Sequence, residues 1–174
     1  QRQMCIRDRY SSLASYVSLL ITNWSGPDAI VHAWLYLLKS FAAPVDVISE
    51  KEDFSGYPFL IAPAYQLLDN KLVERWTEYV KKGGHLILTC RTGQKDRDAK
   101  LWEAPLAAPI HQLAGINSLY YDHLPHNLYG KIDFEGKEFA WNNWGDVLTP
   151  AAGTDVWAVY TCLLYTSDAA DDLI

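Results

Sequence analysis

Residues 59–89 read FLIAPAYQLLDNKLVERWTEYVKKGGHLILT and contain the clearest signals for secondary structure. Phe59–Ala62 is a short apolar run of the kind that forms a buried strand, and Pro63 ends it. His85–Thr89 is a second run of the same kind. Between them lies a segment with apolar residues at helical spacing, so we predict a strand, a helix and a strand in that order.

The sequence predicts both ends of this helix. Asp69 or Asn70 caps its start, because a short polar side chain accepts a hydrogen bond from the free backbone N–H groups there. Lys81 and Lys82 suit the negative end of the helix dipole. Gly83-Gly84 ends the helix, because glycine adopts the left-handed conformation at little cost. The apolar face comprises Leu72, Val73, Trp76, Tyr79 and Val80.

Two more strands and another helix are predicted on the N-terminal side. Val17–Ile21 and Val45–Ile48 are the strands, and the helix between them starts at Asp28 and ends before Pro44. Alternation of strands with helices favours a parallel sheet covered by helices, and fully apolar strands are typical of such sheets. We therefore predict an α/β fold, a flavodoxin-like three-layer sandwich with a mostly parallel sheet. The apolar face of the N-terminal helix comprises Ile30, Trp34, Leu37, Leu38 and Phe41.

After Gly93 the signal weakens, and the predicted elements are short. Glu135-Gly136 is flanked by two strand-like runs and predicts a hairpin turn. We predict a charged loop at Gln94–Lys100, a short helix at Ile110–Leu113 ending at Gly115, hairpin strands at Lys131–Phe134 and Lys137–Ala140, and a last strand at Val156–Tyr160.

Composition and charge exclude several classes of function. The formal net charge is -6 and the basic residues are not clustered, so nucleic acid is not an expected partner. No apolar run is long enough to span a membrane, and charged residues interrupt the first positions where a signal peptide would lie. Cys5, Cys90 and Cys162 are too few and too scattered for a disulfide framework or a zinc site. We expect a cytoplasmic protein without a cofactor or a metal.

Cys90 is the candidate nucleophile. It follows a predicted strand, and in α/β proteins the carboxyl ends of strands carry binding and catalytic sites. However, the position two residues before it lacks the small residue that is usual in a nucleophile elbow. Free cysteine is also among the most buried residue types. A structural cysteine is therefore favoured, and a cysteine enzyme that uses Cys90 remains an alternative.

His123 and His126 form the candidate metal pair. Their spacing suits one face of a helix, but Pro125 between them argues against a helix, and further ligands are not evident. Polar loop histidines are the favoured interpretation.

Glycoside hydrolysis requires two carboxyl groups about 5 Å apart in retaining enzymes, and no pair stands in a distinctive motif. We therefore nominate no catalytic, metal-binding or cofactor-binding residue.

Four of the seven tryptophans lie in interpretable positions. Trp34 and Trp76 fall on apolar helix faces and are expected in the core. Trp141 and Trp144 lie in a region of weak periodicity, where exposed rings could form an interface or face a sugar. Ordinary packing is favoured for this pair, and a sugar-binding module that uses Trp141 and Trp144 is the second alternative.

Both ends of the chain resemble a laboratory adapter rather than protein. Met4–Arg9 and Cys162–Ser167 can be encoded by DNA segments that are reverse complements over sixteen bases. The shared sequence resembles the transposon end used to prepare sequencing libraries, and its continuation in frame gives Asp168–Asp171. We therefore expect residues 1–9 and 162–174 to be non-native tails, which are set aside in fold reasoning.

A resemblance to a known family rests on several segments in order. Val45–Ile48 precedes and Leu113–Ile116 follows at the expected places, and the resemblance covers roughly residues 17–160. The chain resembles the trimerisation domain of glycoside hydrolase family 42 β-galactosidases. The segments that carry the resemblance are Leu60–Tyr65, Leu68, Trp76–Gly84 and Arg91–Gly93.

The resemblance implies a domain at residues 10–161, incomplete at its C-terminus, that is similar to a class I glutamine amidotransferase domain without its catalytic machinery. In that family the domain follows a catalytic (β/α)8 barrel, joins subunits into a homotrimer and helps to wall the active site. The two catalytic glutamates belong to the barrel, so none is carried over to this chain. The expected partners are other copies of the chain and the barrel of the same polypeptide, in an enzyme that hydrolyses terminal β-D-galactosides.

Overall fold

A computed structural model describes residues 4–7, 27–42, 44–103, 106–125 and 128–162. The chain divides into two compact units, Gln1–Ala114 and Gly115–Ile174. The first contains β1 (Met4–Arg7), α1 (Pro27–Ser40), β2 (Val45–Ile48), β3 (Phe59–Ala62), α2 (Asn70–Lys81), β4 (His85–Leu88) and, after a 3-10 turn at Ala108–Ile110, α3 (His111–Ala114). The second contains β5 (Ile116–His123), β6 (Gly130–Phe134), β7 (Lys137–Trp141), β8 (Trp144–Pro150) and β9 (Ala158–Cys162).

The first unit is built on a four-stranded parallel sheet. Its order is β2-β1-β3-β4, and Ile61 of β3 lies opposite Ile87 of β4. The predicted strands at residues 45–48, 59–62 and 85–89 are confirmed to within one residue. The strand predicted at Val17–Ile21 lies outside the described residues. The place between β2 and β3 is taken by β1, which falls within the expected N-terminal tail.

The predicted fold class is wrong. A flavodoxin-like three-layer sandwich would place most strands in one parallel sheet, but five of the nine strands in the described residues form two antiparallel sheets. The strand–helix alternation behind the prediction stops at β4. From β5 onwards no long helical crossover separates the strands of the described segments, and successive strands can therefore pair antiparallel. The chain is a β-rich domain with a short parallel sheet in its first unit.

Helix α2 follows the sequence prediction closely. Asp69 is the N-cap, and its side chain accepts a hydrogen bond from the Leu72 backbone N–H at 2.8 Å. Gly83 has φ +92°, the left-handed conformation that ends the helix. A Cβ on Gly84 would lie 2.2 Å from the ring of Tyr79, so only glycine fits under that ring. Leu72, Trp76 and Tyr79 are buried, as the helical spacing predicts.

Helix α1 only partly follows its predicted face. Leu38 is buried against Ile61 of the sheet, and Trp34 is half-buried beside it. Leu37 and Phe41, which were predicted on the same face, are 48% and 75% exposed. The side chain of Ile30 lies outside the described ones. Helix α1 therefore has more apolar residues than the interior of the first unit buries.

The second unit consists of two antiparallel sheets. Strands β5 and β8 pair along their length, and the other sheet has the order β7-β6-β9. The predicted hairpin is confirmed: Glu135 and Gly136 both have positive φ, which matches the twist of the flanking strands β6 and β7. The last predicted strand, Val156–Tyr160, is shifted by two residues and observed as β9.

Candidate functional site

A polar cluster lies at the carboxyl edge of the parallel sheet. Glu50 follows β2, Tyr65 and Asp69 follow β3, and Arg97 follows β4. The Arg97 guanidinium donates to Asp69 Oδ2 at 2.8 Å, to Glu50 Oε2 at 3.0 Å and to the Tyr65 hydroxyl at 3.4 Å. Tyr65 in turn donates its hydroxyl proton to Glu50. We call these four residues the Arg97 cluster.

The cluster fixes the charge of its members. Burial acts to lower the pKa of Arg97, but the hydrogen bonds to Asp69, Tyr65 and Glu50 outweigh it and raise that pKa above its ordinary value. Burial acts to raise the pKa of Asp69, but the hydrogen bonds from Arg97 and from the Leu72 N–H outweigh it and hold that pKa below its usual range. Asp69 and Arg97 are therefore held in their charged forms.

Arg75 extends the cluster along helix α2. Its guanidinium donates to the backbone carbonyl of Glu50 and, at 2.8 Å, to that of Glu52, and it lies 4.6 Å from the centre of the Phe54 ring. A cleft of about 520 Å³ adjoins these residues. The Arg97 cluster and Arg75 thus tie together the three segments that follow β2, β3 and β4.

This arrangement does not provide the acid and nucleophile of a glycosidase. Such a pair needs one protonated carboxyl and one free carboxylate flanking the bond that breaks. Here Glu50 and Asp69 both accept hydrogen bonds from the same guanidinium, and the lowered pKa of Asp69 keeps it ionised. The chemistry of the cluster is that of a structural ion-pair network.

Cys90 lies in the turn after β4 and is exposed. Threonine hydroxyls hold this turn: Thr89 Oγ1 accepts from the Ala64 N–H at 2.7 Å, and Thr92 Oγ1 donates to the Thr89 carbonyl at 2.7 Å. The sequence favoured a structural cysteine that is buried. The expected burial is wrong, because Cys90 is exposed. These hydrogen bonds between threonine hydroxyls and backbone groups fix the turn, and the bond from Ala64 to Thr89 joins the ends of β3 and β4.

The histidine pair receives no support as a metal site. His123 lies on β5 with its ring against the edge of Trp144, and His126 lies outside the described residues. Over the ranges that the structure describes, no group of three or more potential metal ligands comes together. Over the same ranges, no helix is long and apolar enough to cross a membrane.

Trp141 and Trp144 are packed side chains of the second unit. The Trp144 ring stacks on Tyr121 with centroids 4.1 Å apart, and its Nε1 donates to Asp146 at 2.7 Å. Trp141 lies directly over Gly130 and contacts Tyr160 edge-on. These contacts are those of ordinary packing and not of an open platform for a sugar. Of the two helical tryptophans, Trp76 is fully buried and Trp34 is half-buried.

The comparisons with known proteins agree on one family. Residues 13–170 match the model of a family described as "Beta-galactosidase trimerisation domain". The chain belongs to this family. Among curated relatives of this trimerisation domain, the β-galactosidase BgaH of Haloferax lucentense is 28% identical over 116 residues, which cover 67% of the chain and 18% of that protein. BgaA of Clostridium cellulovorans is 30% identical over 125 residues, 72% of the chain and 19% of that protein.

Solved structures extend the similarity to the fold of the trimerisation domain. The GH42 β-galactosidase Gan42B from G. stearothermophilus superposes with a TM-score of 0.82 at 22% identity, over 96% of this chain and 25% of that one. The β-galactosidase of Halorubrum lacusprofundi superposes with a TM-score of 0.81 at 25% identity, over 92% and 24%. The chain thus spans 18% to 25% of the length of these relatives. The resemblance inferred from the sequence is confirmed, and nothing in the comparisons supports the two alternatives.

Proposed function

We propose that this chain is the assembly domain of a β-galactosidase, without catalytic residues of its own, that joins copies of the enzyme into a homotrimer. The observation that carries the proposal is the match of residues 13–170 to the β-galactosidase trimerisation domain. The Arg97 cluster supports it as well, because its carboxylates are committed to one guanidinium rather than arranged for acid and base catalysis.

We further propose the setting of the domain. The whole enzyme hydrolyses terminal β-D-galactosides in the cytoplasm, its catalytic (β/α)8 barrel belongs to the same polypeptide, and neither nucleic acid nor a membrane is a partner. The names of the relatives, which are β-galactosidases, support the substrate class. The net charge of -6 supports the exclusion of nucleic acid.

The mass of the purified chain in solution tests the assembly role. Light scattering after size exclusion should give three times the chain mass of 19.7 kDa at micromolar concentration. A chain that remains monomeric at every accessible concentration contradicts the proposal.

In parallel, the chain alone should release no nitrophenol from a nitrophenyl β-D-galactoside. Hydrolysis that copurifies with the chain and is lost in Cys90→Ser would instead revive the cysteine enzyme.

The tails carry a separate proposal about origin. We propose that residues 1–9 and 162–174 derive from a sequencing adapter, because Met4–Arg9 and Cys162–Ser167 can be back-translated to one inverted repeat, although the family match extends to residue 170. Strand β1 and the last residue of β9 fall within these segments. Long-read sequencing of the source DNA without transposon adapters tests the proposal. A native reading frame that encodes both segments unchanged would refute it.

A further inference from the structure

We propose that the segment Asp155–Trp157 of one copy binds in a groove on helix α1 of a second copy, and that this contact, repeated around a ring, closes the trimer. The inference rests on the proposed assembly function and names the two surfaces that perform it. One surface lies in the first unit of the chain and the other in the second. The argument rests on the shape, the charge and the symmetry of these surfaces.

The α1 groove is the receiving surface. It is an open depression of about 500 Å³ whose exposed area is mainly apolar, and its described lining consists of His32, Leu35, Tyr36, Lys39 and Ser40, all on α1. Leu38 of the same helix is buried against the sheet, whereas Tyr36 is 85% exposed. Tyr36 is one of five lining residues that together, rather than singly, offer a mainly apolar surface to a partner.

Asp155–Trp157 is the entering segment. Trp157 is 78% exposed and Val156 is 56% exposed, just before β9 begins. The residue before the segment is anchored: Thr154 Oγ1 donates to the Gly115 carbonyl at 2.7 Å, and the Thr154 N–H donates to the Ala151 carbonyl at 3.2 Å. An anchored segment loses little conformational entropy on binding, so its apolar area contributes more fully to affinity.

Charge complementarity favours a second copy of this chain as the occupant. Among the described residues of the lining, Lys39 carries a positive charge and none is acidic. The entering segment contains one acidic residue, Asp155, and no basic one. Each copy carries a net charge of -6, so copies repel one another unless the contact pairs unlike charges. An indole beside a lysine adds a cation–π attraction, and tryptophan is the residue type most enriched at the centres of interfaces.

Symmetry gives an independent reason for two different surfaces. A contact between identical patches pairs two copies and closes as a dimer, whereas a ring of three requires each copy to offer one surface and accept another. The α1 groove and the Asp155–Trp157 segment are two such surfaces, because they belong to different units of the chain. A family of trimerisation domains therefore needs a pair of this kind.

Substitution of the anchor is the first test. Trp157→Ala should weaken the association of the full chain at least about 30-fold per contact, the effect of losing an interface hot spot. Tyr36→Glu should have a similar effect, because it places a carboxylate opposite Asp155. Tyr129→Ala is the matched control, since Tyr129 is an aromatic residue of the same unit as Trp157 and is 60% exposed. Sedimentation velocity across a concentration series measures each dissociation constant, and circular dichroism confirms folding.

A disulfide cross-link is the second test and does not depend on weakened binding. In a background with Cys5, Cys90 and Cys162 changed to serine, Ser40→Cys is placed in the groove and Val156→Cys beside the anchor. The double variant should form a covalent ladder that ends at three chains under mild oxidation. Each single variant should cross-link far less than the double variant, because the proposed contact pairs two different positions.

The outcomes separate this inference from the proposed function. A trimer that survives Trp157→Ala and Tyr36→Glu, or a double variant that does not cross-link within an intact trimer, overturns the inference and leaves the assembly role standing. A wild-type chain that is monomeric at all concentrations overturns both.

Discussion

Arg97→Met should destabilise the chain by about 2 kcal/mol, and the structure allows this magnitude to be worked out. Methionine keeps most of the aliphatic length of the side chain but removes the guanidinium. Glu50 then keeps only part of its hydrogen-bonding partners, and its side chain is just 14% exposed, so water replaces the lost bond poorly. A hydrogen bond to a charged group contributes about 1.5–3 kcal/mol. The loss of the ion pair between Arg97 and Asp69 adds little to this destabilisation, because the Asp69 side chain is 41% exposed and solvent screens the pair.

Unfolding in guanidinium chloride, followed by tryptophan fluorescence, measures the change in the free energy of unfolding. The protein concentration is held fixed, because assembly contributes to stability. For a chain of this size, 2 kcal/mol corresponds to a decrease in Tm of about 4–8 °C. Lys100→Met is the matched control, because Lys100 lies in the same loop and forms an ion pair with Glu103 that is exposed on both sides. It should change the free energy of unfolding by less than about 0.5 kcal/mol. Equal losses in the two variants would refute the reasoning.

The pH dependence of the free energy of unfolding provides a second test of the stabilising role of Arg97. The pKa of Asp69 is lowered in the folded chain, so the stability it contributes is fully present above the ordinary carboxyl pKa of about 3.9 and is lost as the pH falls through the lowered value. The pKa of Arg97 is raised, so its contribution is lost only at extreme alkaline pH. The stability difference between wild type and Arg97→Met should therefore be constant near neutrality, and below about pH 4 it should shrink by the small share that the Asp69 bond contributes. A difference that grows in acid would contradict this assignment.

Three further predictions concern the framework. Gly84→Ala should destabilise the chain by more than about 1 kcal/mol in denaturant unfolding, because its Cβ would meet the Tyr79 ring at 2.2 Å, whereas Gly56→Ala, with nothing within 4 Å, should cost much less. Trp76→Ala should cost about 3–5 kcal/mol, because the side chain is fully buried, and a loss under 1 kcal/mol would contradict its place in the core. Deletion of residues 1–9 should lower Tm, because β1 pairs with both β2 and β3 within the parallel sheet; an unchanged Tm would contradict that pairing.

Features set by neighbouring residues could be predicted from the sequence. The cap at Asp69, the stop at Gly83 and the turn at Glu135-Gly136 depend on local backbone conformation, and the structure shows all three. The pairing of β5 with β8 could not be predicted in the same way, because it joins Leu119 to Leu148 across another hairpin. The error in fold class arose there: alternation in the first hundred residues was extended to strands whose partners only the tertiary structure selects.

The Arg97 cluster was missed for a related reason. The sequence marks Asp69 as a helix cap and Gln94–Lys100 as a charged loop, but nothing local connects that loop to Glu50, which lies 47 residues before Arg97. The parallel sheet brings the three segments to one edge, so the cluster exists only once β2, β3 and β4 are in register. A charged loop after a parallel strand is the signal that could have prompted a search for a partner there.

The partial failure of the α1 prediction has a different meaning. Apolar periodicity reports which residues avoid water, and it does not distinguish the interior of one chain from a surface between two. Leu37 and Phe41 match the helical pattern as well as Leu38 does, yet only Leu38 is buried within the chain. In a domain whose family is defined by assembly, an excess of apolar residues on one helix is what a shared surface requires. Leu37 and Phe41 therefore account for the overestimated core of α1, whereas the proposed groove is lined by other residues of the same helix.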